Sequence, residues 1–289
     1  ARLVTDGNLD FQVEVKGNDE LGQLGMAFEE MRSRLKESIE IQQLYETNRK
    51  ELITNISHDL KTPITAIKGY VDGILEGVAD SPEKSEKYMR TIAAKAGEMD
   101  HLIDELFLYS KLDMQKHPFS FESVMIMPFL NDWADELKVE LEKQGVSLDI
   151  SMRKVPEARV AVDRDSFKRV LGNIIQNSLK YMDKPEKKIT VQTWTEAQSF
   201  ILAIEDNGPG IPPEAASHIF ERFYRAEQSR NTNTGGSGLG LAIAKQIISE
   251  HGGAIYADSQ EREGTVIRIV LPIEEGGQKN EANDTNCGR

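Results

Sequence analysis

Cysteine is almost missing from these 289 residues: there is one, Cys287, in a polar C-terminal stretch. A single cysteine builds no disulfide framework within the chain, which fits a reducing compartment. Long apolar runs are missing as well. No stretch approaches the roughly 20 residues that span a bilayer, and none of these residues is expected to form a signal peptide. Basic residues are in deficit, with 35 Lys and Arg against 48 Asp and Glu, a net charge of −13. That balance excludes a direct DNA or RNA binder, which needs a basic face. It does not exclude a nucleotide site, because a divalent metal and a few fixed donors neutralise phosphates locally. The five histidines form no cluster with cysteine or carboxylate at zinc spacing.

What is present suits a chain of two or three parts. Hydrophobic content of 39% supports real cores, and 29% charged residues suit much exposed helix. Ala1 falls in what reads as the middle of an element. The expectation is a fragment of a longer protein, one whose membrane part is missing.

The first 43 residues read as a connector and a helix. Asp6-Gly7-Asn8-Leu9-Asp10 is a turn, and Phe11, Val13 and Val15 alternate as an extended connector does. Asn18 or Asp19 caps a helix with acidic residues in its first turn. Leu21, Leu24, Phe28, Met31 and Leu35 then follow at coiled-coil steps. The run DGNLDFQVEV…DELGQLGMAFEEM resembles the second half of a HAMP domain, the relay that follows a transmembrane helix in bacterial sensors.

Residues 44–116 read as a helical hairpin. Ile53, Ile56, Leu60, Ile64 and Ile67 form one apolar stripe, and His58 lies roughly opposite it, aimed outward. Pro63 removes the helical partner of the Asp59 carbonyl, so a bend is expected there. By itself His58 is equally a surface histidine beside a kink or a nitrogen nucleophile on a rigid rod. Ser81-Pro82-Glu83 starts a second helix carrying Tyr88, Ile92, Ala96, Met99, Ile103, Leu106 and Tyr109 on one stripe. One hairpin cannot bury both stripes, so a dimeric four-helix bundle is expected.

His117-Pro118-Phe119 marks a boundary. Residues 117–275 alternate: helices at 127–144, 163–181 and 237–251, strands at 146–151, 158–162, 187–195, 199–205, 253–258 and 264–271. That order predicts an α/β sandwich with few βαβ units. Residues 276–289 are polar, and disorder is expected.

Four pieces of the sandwich carry chemistry. Asn173, Asn177 and Lys180 share a helix face, followed by Tyr181; amide oxygens ligate Mg²⁺ and lysine meets phosphate. Glu205-Asp206-Asn207-Gly208-Pro209-Gly210-Ile211 ends a strand, where Asp206 can accept from an exocyclic amine. Ile219-Phe220-Glu221-Arg222-Phe223-Tyr224-Arg225 is an aromatic and basic patch. Gly235-Gly236-Ser237-Gly238-Leu239-Gly240 precedes an apolar helix whose N–H groups can cradle phosphates. Each piece also has a plain structural reading as surface amides, a turn or a loose loop. The glycine run lacks both the Walker and the Rossmann spacing.

Their order is more telling. NIIQNSLKY, EDNGPGI, IFERFYR and GGSGLGLAI are similar to the N, G1, F and G2 boxes of sensor histidine kinases, and SHDLKTP is similar to their H box. The resemblance implies an α plus α/β fold: an antiparallel hairpin dimerising into a four-helix bundle, then a GHKL-type α/β sandwich binding ATP. It implies Asn177 as the Mg²⁺ ligand with Asn173 beside it, Lys180 on phosphate, Tyr181 on the base and Asp206 on the adenine amine. Gly208, Gly210 and Ile211 would shape the base pocket. Gly236, Gly238, Leu239 and Gly240 would follow the phosphates, with Phe220 in the F box and 212–235 as a mobile lid. GHKL relatives that hydrolyse ATP place a glutamate base where this chain has Asn173, and an amide abstracts no proton.

The expected activity is autophosphorylation of His58, with Asp59 taking the Nδ1 proton so that Nε2 attacks. The phosphoryl then passes to an aspartate of a response regulator receiver domain. Thr62, one turn on, resembles the position that orients water for the reverse dephosphorylation. A nucleotide-gated dimer that transfers nothing is the rival. A Ser/Thr kinase, hinted at by Arg164-Asp165, lacks its D-F-G and V-A-I-K partners. Whether transfer is within or across protomers stays open.

Overall fold

The computed structural model describes residues 9–11, 20–114, 117–152, 158–222, 224 and 238–274. The chain divides into two compact units, Ala1–His58 and Asp59–Arg289. The expected cap at Asn18 or Asp19, the tail with Cys287 and half of the expected lid lie outside the described residues.

Helix α1 (Glu20–Leu75) carries the relay and phosphoacceptor stretches without a break, as the continuing apolar pattern through residues 39–78 predicts. In the first unit, residues 9–11 return onto this helix. Leu9 is buried, the Arg32 guanidinium donates to its carbonyl, and Lys36 Nζ lies 2.6 Å from Asp10. Leu24, Met31 and Leu35 of the seam stay exposed.

In the second unit α1 runs through Pro63 uninterrupted. It pairs with α2 (Pro82–Asp113), whose cap is the one the sequence predicts: Ser81 Oγ accepts from the Lys84 N–H at 3.2 Å, with proline in the first turn. Tyr70 and Tyr88 meet edge to face at 5.0 Å. A Cβ at Gly73 would stand 2.9 Å from the Tyr88 ring, so the missing side chain is what lets the two helices approach. Val71, Met89 and Phe107 stay exposed along the hairpin.

The sandwich follows in the order β1 (Glu122–Met125), α3 (Ile126–Lys143), β2 (Val146–Met152), β3 (Arg159–Val162), α4 (Arg164–Tyr181), β4 (Lys187–Glu196), β5 (Ser199–Asp206), α5 (Pro213–Ala216), α6 (Gly240–Glu250), β6 (Ala254–Gln260) and β7 (Gly264–Pro272). Five strands form one sheet in the order β2-β4-β5-β7-β6, and β1 pairs with β3 apart from it. Only β2 and β4 run parallel within that sheet. One face is apolar, with Ile189 and Val191 on β4, Leu202 and Ile204 on β5, and Ile267, Ile269 and Leu271 on β7; β4 and β7 alternate, whereas the central β5 also buries Ile201 and Ala203 on its other face. Phe129, Leu130, Phe167, Leu171, Ile174, Ile243 and Ile247 of α3, α4 and α6 join the same core.

Two elements escape the sequence reading. Strand β1 is four residues with a single buried side chain, Val124, too short for a periodic signal. Helix α5 is one turn inside a Gly- and Pro-rich stretch.

His251, which ends α6, is buried and neutral rather than a cation at a helix end. Its Nε2 accepts from the Asp163 N–H at 3.0 Å and its Nδ1 donates to the Ile247 carbonyl. Burial pushes its pKa below the ordinary value. Phe119 and Phe121, just after the 114–117 junction, pack their rings on it. Asp163 takes N–H bonds from Ser166 and from Ser120. Burial opposes its charge, but those bonds outweigh it and hold the carboxyl below its usual range. A depressed histidine pKa leaves stability complete above the unfolded value, about 6.5, and removes it as pH falls through the folded value. Thermal unfolding followed from neutral pH downward is expected to show a loss starting near the unfolded value, about 6.5. His251→Gln should flatten that portion of the profile while lowering the melting temperature at neutral pH.

Candidate functional site

The end of β5, the last turns of α4 and the β6–β7 turn converge on Asp206. This carboxylate is 9% exposed. Ser178 Oγ of α4 donates to Oδ2 at 2.9 Å, and the Gly208 N–H donates to Oδ1 at 2.9 Å. Burial pushes the carboxyl above its usual range, against the pull of these donors. Sheet register sets Asp206 opposite Thr265. The residue before it, Gly264, has φ +138°, and a Cβ there would overlap the Asp206 carbonyl.

The loop after Asp206 is tied down residue by residue. Asn207 Nδ2 donates to the Glu186 carbonyl, and its Oδ1 accepts from the Lys188 N–H. Gly210 has φ +67°, and any side chain would strike the Gln260 carbonyl. The Ile211 N–H donates to Ser259 Oγ, which donates on to the Gly264 carbonyl. A flat ligand against Gly208 and Gly210 would therefore meet a rigid wall with one buried carboxylate at its base.

On α4, Asn173, Asn177, Lys180 and Tyr181 are all half-buried. Asn173 Nδ2 donates to the Gly240 carbonyl at 2.8 Å, tying α4 to the start of α6. Asn177 makes no side-chain hydrogen bond among the described residues, which leaves its amide oxygen open to a hard cation. Lys180 Nζ stands 4.7 Å from the Tyr181 ring centroid, a cation–π pair at the helix end. Among the described residues no cluster of His, Cys, Asp and Glu can hold a metal.

Gly238 has φ +66°, Leu239 is buried in the core, and Gly240 opens α6. The Leu239 side chain is therefore not available to a ligand. Phe220 is likewise a core residue. Gly236 lies outside the described residues. Helix α2 reaches this end of the sandwich: Leu108, Tyr109 and Leu112 are buried, and the Arg222 guanidinium stands 4.9 Å from the Tyr109 ring centroid. A Cβ at Gly240 would lie 3.6 Å from both Glu105 Oε1 and Asn173 Cγ. On α1, His58 and Thr62 are exposed and Asp59 is half-buried.

The sequence matches three family profiles in order: the HAMP domain over residues 1–37, the His Kinase A phospho-acceptor domain over 48–115, and the histidine kinase-, DNA gyrase B- and HSP90-like ATPase over 162–275. The chain belongs to the sensor histidine kinases. Sensor histidine kinase WalK of Bacillus subtilis is 33% identical over 239 residues, covering 81% of this chain and 38% of WalK. Sensor histidine kinase YkoH of the same organism is 32% identical over 272 residues, covering 92% of this chain and 55% of YkoH. The chain thus spans about half or less of these relatives. Acinetobacter baumannii histidine kinase AdeS shares the fold, with a TM-score of 0.60 at 24% identity over 75% of this chain and 98% of that one. So does histidine kinase ThkA, solved in complex with response regulator protein TrrA, with a TM-score of 0.59 at 23% identity over 88% and 68%. No helix among the described residues is long and apolar enough to cross a membrane.

For this sensor histidine kinase the sequence reading missed Ser178, Ser259, Gly264 and Glu105 as neighbours of the site. Ser178 follows Asn177 inside the N box, where its hydroxyl turns inward. Gly264 reads from sequence only as a hairpin residue. Gly264→Ala is expected to destabilise the chain by more than about 1 kcal/mol, since φ is positive and backbone blocks the Cβ. Denaturant unfolding measures this, and a midpoint equal to wild type would contradict the contact.

Proposed function

We propose that this chain is the kinase portion of a longer membrane-attached sensor, with ATP and Mg²⁺ bound in the sandwich and His58 as phosphoacceptor. The division into a relay at 1–43, a phosphoacceptor hairpin at 44–116 and an ATP-binding domain at 117–275 belongs to the same reading. The observation that carries it is the role of Asn173. Its NH₂ group is committed to the Gly240 carbonyl, and an amide takes no proton from water. The site thus lacks, at that position, the base that hydrolysing relatives have, and the γ-phosphoryl needs an acceptor on protein.

Asp206 would accept from the adenine amine, with Gly208, Gly210 and Ile211 against the ring. Asn177 would hold Mg²⁺, which supplies charge neutralisation at the phosphates when bound. Lys180 and the N–H groups around Gly236, Gly238, Leu239 and Gly240 would steady the phosphates. His58 attacks through Nε2 while Asp59 accepts the Nδ1 proton. The phosphoryl group then passes to a receiver-domain aspartate of a response regulator. Thr62 lies one helical turn from His58, at a spacing that lets it orient water for the reverse reaction. Exposed Val71, Met89 and Phe107 on the hairpin support pairing with a second copy into a four-helix bundle.

Incubation with γ-labelled ATP and Mg²⁺ is expected to give acid-labile label on the wild-type chain. His58→Gln should abolish it, and Asn177→Ala should reduce it at least about a hundredfold. Label that persists in His58→Gln would refute His58 as the acceptor.

A further inference from the structure

Resting on the nucleotide reading above, we propose that Ser178 is the positioning residue that keeps Asp206 an acceptor and so makes the pocket choose a 6-aminopurine over a 6-oxopurine. Ser178 is 3% exposed. It lies in the last turn of α4, where its carbonyl accepts from the Met182 N–H at 3.0 Å. Its hydroxyl donates to Asp206 Oδ2 at 2.9 Å.

The chemistry follows from which form of Asp206 is stable. An ionised carboxylate only accepts, and it complements an exocyclic amine. A protonated one donates, and it complements a ring carbonyl as well. Burial favours the protonated form; the Gly208 N–H, the Ser178 hydroxyl and the Thr265 backbone favour the ionised one. Glu205, the preceding residue on β5, acts with burial. The three donors come from α4, the loop after β5, and β7. Two of them are backbone and cannot be lost by substitution. Ser178 is the one side-chain donor of the three, so the balance at Asp206 is set there. Met182 closes the same corner, its Cγ 3.6 Å from where a Gly208 Cβ would stand, and brings no polar group.

The test measures Kd for ADP and for inosine diphosphate by calorimetry on the full chain, from about pH 5 to pH 8, with melting temperatures alongside. Wild type is compared with Ser178→Ala, with the near-isosteric weak donor Ser178→Cys, and with Asp206→Asn as reference. Wild type is expected to prefer ADP. Both Ser178 variants should lose roughly tenfold in ADP affinity, lose much less for inosine diphosphate, and show the acid limb of ADP binding moved to higher pH. An unchanged preference and an unchanged acid limb in folded variants overturn the assignment, even if melting temperatures fall. If the alanine variant does not fold, the cysteine variant decides. A wild-type chain that binds no ADP overturns the nucleotide reading and this assignment together. Binding lost in Asp206→Asn yet unaltered in both Ser178 variants overturns this assignment alone.

Discussion

A carboxylate taken out of water survives as an anion only where fixed donors replace the lost hydration. Asp206 is in that position, and much of the sandwich is arranged to meet its demand. The donors come from α4, from the glycine two residues on, and from β7. Meeting them together requires α4 to cross the apolar face near the end of β5. It also requires the β6–β7 turn to fold over the same strand end. Gly264 is the compromise that permits the approach, because its backbone lies against the Asp206 carbonyl. The helix packing and the site are thus parts of one geometric solution.

The long elements were legible in the sequence because their physics is local. Ser81-Pro82 starts a helix by capping and fixed φ. Ile189, Val191, Ile267 and Ile269 alternate because one sheet face carries the helices and, on β4 and β7, the other is more exposed. The site boxes were legible as residue types in order. What escaped was set by tertiary contact. Ser178 reads as one more polar residue in a helix until β5 is beside it. Glu105 reads as one more surface acid until α6 arrives with Gly240. Strand β1 exists because β3 pairs with it, not through any periodicity of its own.

The contact of α2 with the sandwich sets acidic and aromatic groups beside the N-terminal turn of α6. Glu105 suits the positive end of that helix, and Tyr109 receives the Arg222 guanidinium on its ring. Neither interaction is large alone, but both lie at the rim of the glycine stretch expected to follow the phosphates. This edge of the sandwich is therefore shaped in part by the hairpin.

The junction between hairpin and sandwich also carries a mechanical implication. Asp163 grips Ser120 with one carboxylate oxygen and the first turn of α4 with the other. Tension arriving along the incoming chain is consequently delivered to the root of the helix that bears Asn173, Asn177 and Ser178. Slack there would require uncoupling a charged anchor and drawing Phe119 and Phe121 off the imidazole. The connector is geared to the sandwich rather than hung from it.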